Sequence, residues 1–303
     1  MPELPEVDHA VRRLSRWTKG QIIEEARALD ELVVADGDAF EGLRGARVIE
    51  VVRRGKNGVV RLEQGGQDKA LWFHLGMTGH LTSLPRSTPL TEVALPKFTR
   101  FAIAVKDSVV ALTDMRRMGR AAAGLRTAIE SKHLANLGFE ATDSTPDQLS
   151  VALDTAQVLK AALMDQTRIA GLGNIHAAEA LFLAKLHPER PARSLTGAEL
   201  ARLSDAIREA LARAMVSEDE ELAYIGEGGA NIFFVYGREG EPCSTCKTEI
   251  VREVTRGRST FLCPTCQAMK RVGTSGESKT TATKTTTTTK TPAKTTSKRR
   301  KTP

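Results

Sequence analysis

The sequence predicts an α+β multidomain protein: an N-terminal antiparallel β-sandwich flanked by helices, a helical second domain, a C-terminal β-hairpin closed by a metal, and a disordered basic tail. Three observations carry this. Short β-branched or alternating runs crowd the first part, apolar stripes at helical spacing follow, and two Cys-x-x-Cys pairs end the foldable chain. The boundaries fall at 1–140, 147–235, 236–270 and 271–303.

Val7, Ala10, Val11 and Leu14 recur at helical spacing between Pro5 and Trp17, so a helix starts almost at the first residue. The runs Ala46–Arg54, Val59–Glu63, Ala70–Leu75, Phe101–Val105 and Val109–Thr113 read as strands, with Asn57–Gly58 as a tight hairpin turn. Turn formers in Leu137–Pro146 end that domain. Beyond them Val158, Leu159, Ala162 and Leu163 share one helical face, Ile175, Ala178, Phe182 and Leu186 a second, and Leu200, Leu203, Ile207 and Leu211 a third. Thr196 with Glu199 forms a capping box before the last of these.

The 303 residues are 41% hydrophobic and 27% charged, enough for two cores, and no run is long and apolar enough to span a bilayer. The opening MPELPEVDHA lacks a secretory pattern, so a cytoplasmic, nucleoid-associated protein is expected. The net charge of +7 sits in the tail, where eight basic residues face one acid from Gly273 to Pro303. The body is formally neutral, so a nucleic-acid site there must be a local cluster. The tail's lysines, set among Thr, Pro and Ala, suit salt-sensitive DNA affinity; a purely solubilising tail is the alternative.

Cys243 and Cys246 are separated by two residues, as are Cys263 and Cys266, with sixteen between the pairs. Each pair can grip one edge of a zinc ion, and strand-like residues on both sides of Gly257 can fold back to join them. Two disulfides are the alternative. Four thiolates leave no open coordination position, so one structural Zn2+ is expected.

Removal of Met1 would leave Pro2 with a free secondary amine. An α-amine titrates near 8, well below lysine, and the positive end of the following helix disfavours its ammonium form further. Such an amine can attack a sugar C1′, expel the substituent and leave an iminium. Glu3 stands beside it to move protons, and Glu6 lies one helical turn on. Taken alone, Pro-Glu-Leu-Pro-Glu reads equally as a helix start with favourable proline and acids.

The motifs together resemble the formamidopyrimidine-DNA glycosylases, with endonuclease VIII as their nearest relatives. They are PELPEV at the start, RRGKNGVV (Arg53 to Val60), HLGMTG (His74 to Gly79), DMRRMG (Asp114 to Gly119), DQTRIAGLGNIHAAEALF (Asp165 to Phe182), VYGREGEPC (Val235 to Cys243) and the cysteine hairpin with RSTF (Arg258 to Phe261). The resemblance implies a helix-two-turn-helix second domain and a monomeric base-excision enzyme acting on double-stranded DNA with a damaged base or abasic site. It would excise oxidised purines (Fapy, 8-oxoguanine) through a Pro2 Schiff base and then cut by β,δ-elimination.

The resemblance makes Glu3 the proton donor, gives Lys56 a backbone phosphate and a part in β-elimination, and gives Arg258 the flanking phosphates and δ-elimination. Asn174 would hold a phosphate at a helix start. The glycines before it could suggest a dinucleotide fingerprint, but a helix is expected to precede them. Met77 and Met118 would wedge into the duplex while Arg116 addresses the orphaned base. Glu6, His74 and Arg100 complete the expected DNA-facing set.

Three positions depart from the family pattern. Met118 stands for the usual phenylalanine, Phe98 for a frequent histidine with Lys97 and Arg100 supplying charge beside it, and the stretch from Glu218 to Ile232 is shorter than the usual loop over the flipped base. The alternatives are an endonuclease VIII-like preference for oxidised pyrimidines and a DNA-binding protein that has lost catalysis.

Overall fold

The structure, a computed structural model, describes residues 2–215 and 232–269; most of the shortened loop and the basic tail lie outside the described residues. The first domain runs α1 (Leu4–Thr18), β1 (Glu25–Ala28), α2 (Gly37–Glu41), β2 (Arg47–Arg54), β3 (Asn57–Gln64), β4 (Gln67–His74), β5 (Gly79–Pro85), β6 (Thr99–Ala104), β7 (Ser108–Asp114), β8 (Arg120–Leu125) and α3 (Arg126–Leu134). Two four-stranded antiparallel sheets, ordered β2-β3-β4-β8 and β1-β6-β7-β5, face each other as the expected sandwich. Val48, Val60, Leu71 and Phe73 of one sheet pack with Phe101, Ile103, Val110 and Leu112 of the other, as alternation along each strand requires. Val7, Val11 and Leu14 of α1 and Phe40 of α2 close the ends of that core.

The second domain runs β9 (Phe139–Glu140), α4 (Pro146–Ala152), α5 (Leu159–Met164), β10 (Ile169–Ala170), α6 (Asn174–Leu183) and α7 (Gly197–Ala214). Thr196 and Glu199 form the expected capping box at the start of α7. A two-residue strand, β10, rather than a helix immediately precedes the glycines; it pairs only with β9, so no βαβ nucleotide fold is built. Leu4 of α1 belongs to the core of this domain, among Leu163, Leu172, Ala177 and Leu181, and not to the sandwich. The first helix therefore joins two cores.

The β2–β3 turn lies two residues before the expected Asn57–Gly58. Arg54 pairs with Asn57, so Gly55 and Lys56 form the two-residue tip, and Gly55 takes the left-handed φ of 55° that suits glycine. Asn57 is held in β3 instead: its Nδ2 donates to the Arg54 carbonyl and its Oδ1 accepts from Trp72 Nε1. β11 (Val251–Thr255) and β12 (Arg258–Leu262) form the expected hairpin around Gly257. No helix among the described residues is long and apolar enough to cross a membrane.

Candidate active site

Glu3 is fully buried, and its carboxylate sits on the N-terminus of α6. Oε2 accepts the Gly173 N–H at 3.1 Å and the His176 N–H at 3.2 Å, Oε1 accepts the Ile175 N–H at 2.9 Å, and His176 Nδ1 stands 2.7 Å from Oε2. The first turn of a helix has unpaired N–H groups and a positive dipole end, and Glu3 answers both. Burial alone would raise the Glu3 pKa. The hydrogen bond and charge of His176, the Lys56 charge and the Ile175 N–H outweigh burial and hold it at about 2. Glu3, expected as the proton donor, thus holds no proton of its own at neutral pH.

Two glycines make this docking possible. A Cβ on Gly173 would lie 2.3 Å from Glu3 Cδ, and one on Gly171 2.4 Å from Leu4 Cδ1, where φ is also +108°. The motif GLGN thus serves close packing of the chain's first residues. Pro2, directly ahead of Glu3, is half-buried at this seam.

Lys56 reaches the same region from the β2–β3 turn. Burial and the Arg258 charge lower its pKa, while Glu3 and Glu6 oppose them. Its turn is pinned by Glu140, whose Oε1 accepts from Arg54 Nη1 and from the Gly55 N–H, both at 2.6 Å, and whose Oε2 accepts from Arg53 Nη1 at 2.6 Å. The Glu6 carboxylate accepts the Glu3 N–H at 2.8 Å, which gives it a capping role.

Arg258 is exposed at the start of β12. The next carbonyl, Ser259, is held from two sides, by Asn174 Nδ2 at 3.0 Å and by Lys160 Nζ at 2.9 Å, and Lys160 also donates to Thr260 Oγ1 at 2.9 Å. Asn174, expected to bind phosphate, donates from Nδ2 to the hairpin, while its Oδ1 is buried with no partner among the described residues. Lys160, which sequence reasoning missed, is 2% exposed; burial is the largest influence on its pKa and, with Arg258 and against Glu3, lowers it to about 8.

The loops bearing Met77, Arg116 and Met118 are tied together by Asp114. Its buried carboxylate accepts from Thr78 Oγ1 in the first loop and from the Arg116 N–H at 3.1 Å and the Gly119 N–H at 2.6 Å in the second. Arg116 and Met118 are exposed and Met77 half-buried. His74 Nδ1 accepts the Gly76 N–H at 3.0 Å, and burial with the Lys56 and Arg120 charges lowers its pKa, so the neutral ring keeps its proton on Nε2. Arg100 corrects an expectation. It is 8% exposed, its Nη1 pairs with Asp30 at 2.8 Å, and its Nε donates to the Asp114 carbonyl at 2.8 Å, so it is committed to bracing the loop from inside. Phe98 is exposed at a φ of 66° with Lys97 Nζ 4.9 Å from its ring.

The four cysteine Sγ atoms lie within 4.8 Å of one another, with 3.3 Å between Cys246 and Cys263 and 3.9 Å between Cys243 and Cys266. Disulfides need about 2.05 Å, whereas a tetrahedron with Zn–S bonds of about 2.3 Å has edges of about 3.8 Å. The donor set fits one zinc ion with no open position. Val235, Ile250, Ala178 and Phe182 pack around it and join the hairpin to α6.

Residues 1–121 match the family description "Formamidopyrimidine-DNA glycosylase N-terminal domain", residues 137–223 its H2TH domain, and residues 240–268 a zinc finger found in FPG and IleRS. The chain is 38% identical to the formamidopyrimidine-DNA glycosylase of Gluconobacter oxydans over 283 residues, covering 88% of this chain and 100% of that protein. It is 39% identical to the one from Thermus thermophilus over 280 residues, covering 88% and 98%. The Lactococcus lactis Fpg complex with abasic-site DNA superposes with a TM-score of 0.77 at 30% identity, covering 88% and 100%. A structure of MutM with DNA containing carbocyclic 8-oxo-G gives the same values.

Three outcomes follow from this geometry. Gly173→Ala should drive Glu3 off the helix end and destabilise the fold by about 2–4 kcal/mol in urea unfolding. The control Gly197→Ala, at the first position of α7 and with a Cβ that meets nothing within 4 Å, should change stability by no more than about 0.5 kcal/mol. Because the Glu3 pKa is depressed on folding, its contribution is complete above 4.5 and is lost as pH falls towards about 2. Stability curves of Glu3→Gln and wild type should therefore converge over that window. Purified protein should carry one zinc per chain by elemental analysis, and Cys263→Ser should lose it together with several degrees of melting temperature.

Proposed function

The chain belongs to the formamidopyrimidine-DNA glycosylase family, and from that premise we propose that it excises oxidised purines from duplex DNA through Pro2. It is a base-excision DNA glycosylase with AP lyase activity. The Lactococcus lactis protein is known in complex with Fapy-dG DNA and with abasic-site DNA, which supports the purine reading and the abasic intermediate.

The observation that carries the mechanism is the burial of Glu3 on the α6 N-terminus, because it fixes Pro2 where the sandwich, the helical domain and the cationic turn of Lys56 converge. Met1 is removed, and the Pro2 nitrogen attacks C1′ of the extruded nucleotide. The base leaves, the sugar ring opens, and the iminium draws electrons from C2′ so that the 3′ phosphate is eliminated. Lys56 holds a backbone phosphate and assists that elimination. Arg258 grips the phosphates next to the lesion and supports the second elimination, while Met77, Arg116 and Met118 fill the gap in the duplex. The bound zinc supplies structure to the hairpin and no reacting ligand.

The parts divide the labour: 1–140 carries the nucleophile, 147–235 and 236–270 bind DNA around it, and the basic tail adds sequence-independent affinity. The protein works as a monomer on the chromosome, in the cytoplasm.

Borohydride trapping on an abasic-site duplex tests this. Wild type should give a covalent adduct that maps to the peptide beginning at Pro2, and Pro2→Gly should lose excision of 8-oxoguanine by at least about 100-fold. An adduct on another residue, or full cleavage by protein whose N-terminus is blocked, would refute the mechanism. Faster excision of thymine glycol than of 8-oxoguanine would refute the lesion class.

A further inference from the structure

Glu3 faces a chemical problem: opening of the deoxyribose ring needs a proton at O4′, and this carboxylate is held ionised by three backbone N–H groups and a helix end. One titratable group is bonded to it directly, His176, at 2.7 Å and 0% exposure. The other ring nitrogen, Nε2, is buried with no hydrogen-bond partner among the described residues, and the Phe233 ring stands edge-on to the imidazole at 6.2 Å. Among those residues the imidazole has one hydrogen-bonded outlet, and it leads to Glu3.

We propose that His176 is the proton store of the active site, its Nδ1 proton passing to Glu3 and from Glu3 to O4′ as the sugar ring opens. This rests on the Pro2 reading above and deepens it. As Pro2 attacks, the C1′–base bond breaks and its electron pair leaves with the base. The C1′–O4′ bond then breaks, its pair goes to O4′, and the nitrogen lone pair forms the C1′=N bond of the iminium. O4′ takes the proton from Glu3, Glu3 takes the Nδ1 proton of His176, and the imidazole ends neutral. The proton shed by the Pro2 nitrogen ends on the departing base. His176 touches no substrate and acts only through Glu3.

The charges around the pair fit this role. Burial lowers the His176 pKa, but the Glu3 hydrogen bond and charge, followed by Glu6 from α1 and Glu179 from α6 itself, raise it above its ordinary value. Glu179 is occupied by the N–H groups of Phe234, Val235 and Tyr236, and so does not compete for the ring. Lys56 and Lys160, with Arg258 behind them, face Glu3 from the other elements, and Lys160 is committed to Ser259 and Thr260.

The store is charged only while His176 is protonated, so single-turnover excision of 8-oxoguanine should fall as pH rises through the raised His176 pKa. The Pro2 amine, which must lose its proton, sets the opposite limb. His176→Asn keeps an N–H for Glu3 and cannot titrate. It should slow excision about 10–100-fold near neutral pH and abolish the alkaline limb. Trapping on a preformed abasic site, whose cyclic hemiacetal must open through the same O4′, should slow by a similar factor. An alkaline limb unchanged in His176→Asn overturns the proposal, whereas failure of wild type to trap at all overturns the Pro2 reading. Should the variant not fold, imidazole 15N shifts of wild type decide: His176 must be doubly protonated at pH 6.5, and a neutral ring there overturns the proposal.

Discussion

The whole active region depends on one carboxylate placed on one helix end. Glu3 satisfies three N–H groups of α6 and the Nδ1 of His176 without any contact to water. A buried carboxylate without such partners would cost several kcal/mol and would take up a proton instead. The same bonds fix the residue before it, so the position of Pro2 is set by electrostatics in the second domain. Gly171 and Gly173 are the steric condition for that arrangement, since a side chain at either would occupy the space that Leu4 and Glu3 fill.

Each cationic or apolar group proposed to meet the DNA is braced by a residue packed behind it. Glu140 holds the turn of Lys56, Asp114 holds the loops of Met77, Arg116 and Met118, and Lys160 with Asn174 holds the strand of Arg258. Three of these four bracing residues are buried and ionisable or polar, and Glu140 is half-buried. Together they form a supporting layer whose polar groups are answered within the protein: Glu140 by two arginines, Asp114 by a hydroxyl and backbone N–H groups, and Lys160 by a carbonyl and a hydroxyl.

The elements with strong periodicity were legible in the sequence: α1, the capped α7, five strands of the sandwich and the cysteine hairpin. The short or alanine-rich strands were not. β8 reads RAAAGL and owes its extension to pairing along β4, because nothing in its own residues favours a strand. Asn57–Gly58 has ideal turn chemistry, yet the buried Trp72 claims the Asn57 side chain and moves the turn two residues earlier. Arg100 resembled a DNA contact because its partner, Asp30, lies seventy residues away. His176 gave no signal at all, since its meaning comes from Glu3, 173 positions earlier. Elements with a local signature were readable, and side chains defined by long-range pairing were not.

Leu4 belongs to the helical core while Val7, three residues later, belongs to the sandwich. Motion of one core against the other would strain this first turn of helix and pull Glu3 from its anchor on α6. The first turn of α1 thus stitches the two cores together, and bending of the duplex must supply part of the fit to DNA. Bending and unstacking energies of the nucleic acid, lowest where a lesion has already weakened pairing, become the first filter on which nucleotide is tried.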